Sequence, residues 1–209
     1  MTILKMAMLL GLPIFAYLFG AIPWGLILTR LFANIDIREQ GSGNIGATNV
    51  RRTAGTTLGL ITLTGDVLKG VLPVYLAGRL VALNSPGAEI YTCLVFLSAF
   101  WGHLFPIYLK FRGGGKGVAT AAGGFLVLSP IACLISILVF IMVVCWFNRV
   151  SGGSLSAAAV LPLAIWKFSY SAILTGCALI VVLFIYARHK DNILRIMAGT
   201  ESVFREKKE

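Results

Sequence analysis

Apolar residues run almost unbroken over 3–29, 54–83, 90–109, 118–147 and 155–187, and polar and glycine residues gather in the short segments between. About 20 residues at ~1.5 Å rise cross a hydrocarbon core of ~30 Å, so runs of this length read as membrane spans. The pattern predicts helices at 3–29, 54–83, 90–110, 117–129, 130–147, 153–167 and 170–188. The second is long enough to tilt or kink, with Pro73 the place for it. The fourth is too short to cross unaided and is expected to sit partly inside the protein. Pro130 separates the fourth from the fifth, Gly152–Gly153 separates the fifth from the sixth, and Pro162 is placed to distort the sixth. The first run, about 25 residues, exceeds the 7–15 of a signal-peptide core and no A-x-A site follows it, so it reads as a span. No 20–50-residue repeat interrupts the series. The expected fold is an all-α integral membrane protein with about seven transmembrane helices, forming one polytopic domain over 1–209.

Composition closes off the soluble alternative. The 209 residues are 58% hydrophobic and 12% charged, with a mean hydropathy of +0.89, whereas soluble domains carry about 25% charged residues. The charge is lopsided, with 18 Lys and Arg against 8 Asp and Glu. Segments 30–53, 110–117, 148–152 and 188–209 hold most of the cations, which puts the N-terminus outside and the C-terminus in the cytoplasm. No basic patch interleaved with aromatics lies in a soluble segment, so a nucleic-acid partner is not expected. Cys93, Cys133, Cys145 and Cys177 fall inside apolar runs without a C-x-x-C pair, which argues against a disulfide or a metal site.

Three polar segments carry candidate chemistry. The first is Gln40-Gly41-Ser42-Gly43-Asn44-Ile45-Gly46-Ala47-Thr48-Asn49-Val50-Arg51-Arg52. Its glycines permit turns that point successive N–H groups into one concavity, its neutral polar side chains add hydrogen bonds, and Arg52 adds a planar cation. The segment opens a helix whose N-terminal dipole favours an anion, and the set suits a phosphorylated polyol. The second is Gly102-His103-Leu104-Phe105-Pro106 followed by Phe111-Arg112-Gly113-Gly114-Gly115-Lys116-Gly117-Val118-Ala119-Thr120. It too has the elements of a phosphate cradle. It is no Walker loop, because Gly117 follows Lys116 and a membrane helix, not a strand, precedes it. The third, Arg188-His189-Lys190-Asp191-Asn192-Ile193-Leu194-Arg195, continues the last helix outward with His189, Asn192 and Arg195 at spacing three on one face. Inside the second span, Asp66 and Lys69 at i, i+3 can form an ion pair, structural or functional.

These residues resemble a known family. Gly41-Ser42-Gly43-Asn44-x-Gly46-Ala47-Thr48-Asn49-Val50-x-Arg52, Asp66-x-x-Lys69-Gly70, Gly102-His103-x-x-Pro106, Gly114-Gly115-Lys116-Gly117-Val118-Ala119-Thr120 and Arg188-His189-x-x-Asn192-Ile193-x-Arg195-x-x-x-Gly199-x-Glu201 look like the bacterial acyl-phosphate-dependent glycerol-3-phosphate acyltransferases. The resemblance covers nearly the whole chain, with one departure: three glycines precede Lys116 where the family pattern has two. It implies a seven-helix enzyme of the bacterial inner membrane with a cytoplasmic active site. That enzyme moves a fatty acyl group from acyl phosphate to glycerol 3-phosphate and makes lysophosphatidate for phospholipid synthesis. No cofactor is implied, since acyl phosphate is already a mixed anhydride. Membrane lipid and a soluble enzyme producing acyl phosphate are the implied partners.

On this reading Ser42, Arg52, Lys116, His189 and Asn192 are the catalytic set. Gly43, Asn44, Thr48, Asn49, His103, Gly114, Gly115, Gly117 and Arg195 bind substrate. Ser42, Asn44, Thr48, Asn49 and Arg52 would hold glycerol 3-phosphate, and Lys116 with its glycines the acyl phosphate, though the two phosphates could be exchanged. His189, Asn192 and Arg195 would complete the pocket. His103 and His189 are the side chains with an ordinary pKa near neutrality, and the resemblance leaves open that a substrate phosphate takes the proton instead. The alternative function is a transporter of a phosphorylated or anionic solute. Transporters place their sites near the midplane and often show repeated halves, and here only Asp66 and Lys69 favour that.

Overall fold

The computed structural model describes residues 3–81 and 85–205. The end of the second predicted helix (82–83), the start of the loop after it (84) and the charged tail beyond Arg205 lie outside the described residues. Among these, every regular element is helical: α1 Ile3–Gly20, α2 Trp24–Phe32, α3 Ala47–Ala54, α4 Thr56–Leu80, α5 Pro86–Leu104, α6 Val118–Leu128, α7 Pro130–Phe147, α8 Val150–Ser169, α9 Ala172–Arg188 and α10 Lys190–Met197. Five are long and apolar enough to cross a membrane, or up to six if α9 and α10, bent by 61°, count as one broken span. Large apolar side chains such as Leu10, Trp146 and Leu183 point outward with 71%, 81% and 70% of their surface exposed, as lipid-facing residues do.

Four expected boundaries move. The helix predicted over 90–110 runs from Pro86, which opens it behind the Ser85 cap, to Leu104, and Pro106 keeps it from continuing. The single helix predicted over 3–29 is α1 and α2, broken at Gly20–Pro23, where Pro23 has no N–H to continue the ladder. The fifth and sixth helices part at Asn148, whose φ of 55° ends α7, and not at Gly152–Gly153, which lie inside α8. The last helix does not run straight out: it turns at His189, which ends α9 and opens α10. Pro73 and Pro162 both sit inside their helices, α4 and α8, and both are buried.

The chain divides into two compact units, Met1–Leu128 and Ser129–Glu209. In the first unit small residues bring backbones together. A Cβ on Gly20 would overlap the Ala99 carbonyl, and one on Gly102 the Tyr17 carbonyl, which sets the α1–α5 crossing. Gly70 meets Thr120 and Gly124, and Gly123 meets Val67, so α4 and α6 touch backbone to backbone. In lipid, where apolar burial between helices gains little, such close approach is the main source of cohesion. The short α6, only 11 residues, is thereby held with Thr120, Ala121, Gly123, Gly124 and Phe125 buried. In the second unit Gly153 performs the same service for α7 and α8: a Cβ there would press on Val144 and Phe140.

Candidate functional site

In the first unit the segment between α2 and α4 folds around one side chain. Asn49, 3% exposed, accepts from the Ser42 N–H through Oδ1 at 3.0 Å. Its Nδ2 donates to the Gln40 and Asn44 carbonyls, both at 2.9 Å, and to Ile37 at 3.4 Å. Asn44 Oδ1 accepts from the Gly46 N–H at 2.8 Å and sets the entry to α3. Gly41 and Gly43 take φ of 58° and 67°, conformations that a side chain disfavours. The two amides expected to contact substrate are thus engaged with the loop itself. What the loop presents outward is Ser42 (exposed), Thr48 (half-buried) and Arg52 (exposed), beside the first turn of α3.

A second device, not singled out from the sequence, braces the approach to this loop. Asp36 receives Arg38 Nε and Nη2 at 2.9 and 2.6 Å, the Arg38 N–H at 3.0 Å and Arg30 Nη2 at 2.6 Å. The Arg38 hydrogen bond, helped by Arg30, holds the Asp36 carboxyl well below the usual carboxylate range against the opposing effect of burial. The sequence signal was the Asp36-Ile37-Arg38 alternation: Ile37 turns into the core and its neighbours turn outward to meet each other.

The segment between α5 and α6 closes onto the first loop. Leu109 packs on the cluster of Leu26, Ile37, Ile45 and Val50, and a Cβ on Gly113 would lie 4.0 Å from Arg38 Cδ. Three of its glycines press inward. A Cβ on Gly114 would strike the Leu104 carbonyl, on Gly115 the His103 ring, and on Gly117 the Phe100 and Leu104 side chains. Gly113, by contrast, is exposed. Lys116 follows, half-buried, two residues before α6. A cation and the positive end of a helix therefore sit together, and two glycine-rich cationic loops share one end of the unit.

Beneath the second loop lies a buried charged cluster. Lys69 Nζ is 2.8 Å from Asp66 Oδ1 and 3.2 Å from His103 Nδ1, and His103 Nδ1 is 3.5 Å from the same carboxylate oxygen. All three residues are at most 4% exposed. The Gly115 N–H donates to the His103 carbonyl at 3.1 Å, and Thr120 Oγ1 donates to the Asp66 carbonyl at 3.0 Å.

In the second unit Asn192 Nδ2 and Arg195 Nε donate to the two oxygens of Glu201, at 2.6 and 2.8 Å. Burial pushes the Glu201 carboxyl up, but the Ser151 hydroxyl, the Asn192 amide and Arg195 together draw it below its ordinary value. Arg149 Nη1 donates to the Glu201 carbonyl at 2.7 Å. His189 is buried, and its Nδ1 lies 2.8 Å from the Ile185 carbonyl. A carbonyl only accepts, so Nδ1 carries the proton and the neutral ring has its lone pair on Nε2. Among the described residues no group of three or more His, Cys, Asp or Glu is arranged to hold a metal ion.

Residues 10–199 match the glycerol-3-phosphate acyltransferase family. A glycerol-3-phosphate acyltransferase of Trichlorobacter lovleyi is 48% identical over 190 residues, 91% of this chain and 94% of that protein. One of Geobacter sulfurreducens is 45% identical over the same shares. Two crystal structures of PlsY, an integral membrane glycerol 3-phosphate acyltransferase, have the same fold. The glycerol 3-phosphate form superposes with a TM-score of 0.88 at 35% identity, covering 94% of this chain and 96% of that one. The lysophosphatidic acid form gives 0.85 at 34% identity, covering 93% and 94%. With near-complete coverage by sequence and by fold, this multi-pass membrane protein belongs to the glycerol-3-phosphate acyltransferase family.

Proposed function

We propose that the chain transfers a fatty acyl group from acyl phosphate to glycerol 3-phosphate, giving 1-acyl-glycerol 3-phosphate and phosphate, at the cytoplasmic face of the bacterial inner membrane. The observation that carries this is the meeting of two cationic glycine-rich loops at one end of the first unit, through Leu109 and through Gly113 beside Arg38. Two anions have to be brought together, and two anion-binding loops in contact do that.

The glycerol 3-phosphate hydroxyl attacks the acyl carbonyl, the new C–O ester bond forms, and the acyl–phosphate C–O bond breaks. The hydroxyl proton ends on the released phosphate. No covalent enzyme intermediate and no cofactor enter this balance, because the donor is already a mixed anhydride. Arg52, Ser42 and Thr48 are the contacts for glycerol 3-phosphate, with Asn44, Asn49 and Gly43 shaping their loop. Lys116 stabilises charge on the departing phosphoryl group, and Gly114, Gly115 and Gly117 hold it in place. In the second unit Asn192 and Arg195 hold Glu201 and so order the segment that follows His189. The donor's acyl chain lies along the apolar helices, and a soluble enzyme supplies acyl phosphate.

Purified protein in detergent tests this. Transfer without a sealed compartment separates the enzyme from a carrier of anionic solutes. Arg52→Ala is expected to raise KM for glycerol 3-phosphate, and Lys116→Ala to lower kcat and raise KM for acyl phosphate. Unchanged kinetics in both variants would sink the two-loop reading.

A further inference from the structure

We propose that Asp66 and Lys69 are positioning residues for the transfer: they fix the tautomer and seat of His103, and through it the loop that presents Lys116. This rests on the assignment of Lys116 to the donor phosphate.

The argument begins with donors and acceptors. An ammonium has three N–H donors and no acceptor. Lys69 directs one donor to Asp66 Oδ1 and another to His103 Nδ1. Nδ1 also lies 3.5 Å from Asp66 Oδ1, but the closer contact is to the ammonium, which can only donate; on that contact Nδ1 carries the lone pair and the ring proton of neutral His103 sits on Nε2. Protonating both nitrogens would set an N–H against the ammonium. His103 is thus held as a neutral donor and is unsuited to act as a base.

The protonated edge of the ring faces the second loop. Nε2 lies so close to Gly115 that any Cβ there would overlap it, and the Gly115 N–H is bonded to the His103 carbonyl. On the far side of Lys116, Thr120 is tied to the Asp66 carbonyl. Lys116 is bracketed: its predecessor rests on His103 and the first turn of α6 rests on Asp66.

Stability alone does not call for this cluster. Buried ion pairs are often matched or bettered by apolar residues of similar volume, and an ionisable group inside a span is costly to place there. Placed under a loop that must hold an anion in register, the cluster makes sense as an alignment device. It joins α4 to α5 through His103 and to the first turn of α6 through Thr120.

The histidine content makes the test clean. The chain has two histidines, and the geometry gives them opposite tautomers, Nε2–H in His103 and Nδ1–H in His189. Histidine-15N spectra of the full-length protein in detergent, assigned with His189→Asn, are expected to show that opposition. Nδ1–H on His103 would overturn the proposal. The neutral double variant Asp66→Asn/Lys69→Met should lose the fixed tautomer and raise KM for acyl phosphate roughly tenfold, while KM for glycerol 3-phosphate stays within about twofold. Equal effects on both constants, or none, would refute the positioning role. His103→Gln and His103→Asn provide a pair that does not depend on the double variant folding. Gln restores an N–H near the Nε2 position and should retain more kcat/KM than Asn, and equality between the two counts against the proposal. Absence of transfer in the unmodified protein would overturn the proposed function while leaving the tautomer result standing.

Discussion

Replacing Asn49 by Asp removes two donors and changes almost nothing else in volume. Nδ2 faces the Gln40 and Asn44 carbonyls at 2.9 Å and Ile37 at 3.4 Å, and the substitution sets a carboxylate oxygen against all three. Each lost hydrogen bond is worth ~0.5–1.5 kcal/mol, and a buried carbonyl left without its donor costs ~1–3 kcal/mol. Gln40 is exposed and Asn44 half-buried, so water recovers part of the loss. A net cost of about 2 kcal/mol to the ordered loop is a reasonable central figure, before carboxylate–carbonyl repulsion is added. That lowers the equilibrium constant for ordering the loop by roughly 30-fold, and apparent affinity falls by up to that factor.

Steady-state kinetics should therefore show KM for glycerol 3-phosphate rising by up to about one and a half orders of magnitude, with KM for acyl phosphate changed far less. Hydrogen exchange should lose protection at the Ser42 and Gly46 amides, while the unfolding temperature stays near that of the parent because the spans are untouched. A twofold or smaller change in KM with unaltered exchange would refute the view that Asn49 organises the loop.

Two further expectations follow from packing and charge. Gly123→Ala puts a methyl against the Val67 carbonyl, whereas Gly11→Ala and Gly176→Ala meet nothing within 4 Å. The first should destabilise the α4–α6 contact by about 3 kcal/mol and the other two should be neutral or mildly stabilising in thermal unfolding, and a silent Gly123→Ala would disprove the close crossing. Glu201 has its carboxyl drawn below the ordinary value, so its stabilising contribution is complete above the unfolded-state value of about 4.3 and is lost only as pH falls through the lower folded value. Amide protection at Thr200 and Phe204, which bond to Arg195 and Asn148, should persist from neutrality to about pH 4 and decline below it. Glu201→Gln should remove that dependence, and a decline that persists in the variant would assign it to another group.

The helices were legible because lipid imposes a simple rule: a span needs about 20 apolar residues. Their breaks were less so, and the reason is specific. Gly20-Ala21-Ile22-Pro23 is itself apolar, so the division between α1 and α2 leaves no dip in hydropathy, and Pro23 was the one available signal. Asn148 rather than Gly152–Gly153 ends α7 because a positive φ is what the turn requires, while Gly153 is needed for contact with α7. The loops were legible as glycine-rich, cationic segments between the spans. The division of labour within them was not, since a sequence cannot say whether Asn49 points outward or into its own loop. The cluster of Lys69 with His103 spans 34 positions, and the link from Asn192 to Glu201 leaves the helix on which the spacing rule operates. Only the folded chain brings those partners together.

The glycines of the second loop show how far a motif can be read. From the sequence they suggest a backbone opened for phosphate. In the structure Gly114, Gly115 and Gly117 are small because α5 is on their inner side: a carbonyl, an imidazole and a phenyl ring occupy the space that a Cβ would need. Loss of activity on adding a methyl at Gly115 would therefore report a displaced His103 as readily as a blocked phosphate, and it would not tell the two apart. Removing the charge while keeping the stem, as in Lys116→Met, leaves that packing alone and changes only what the loop offers an anion. Evidence for phosphate binding here has to come from the lysine, and evidence for the architecture from the glycines beside it.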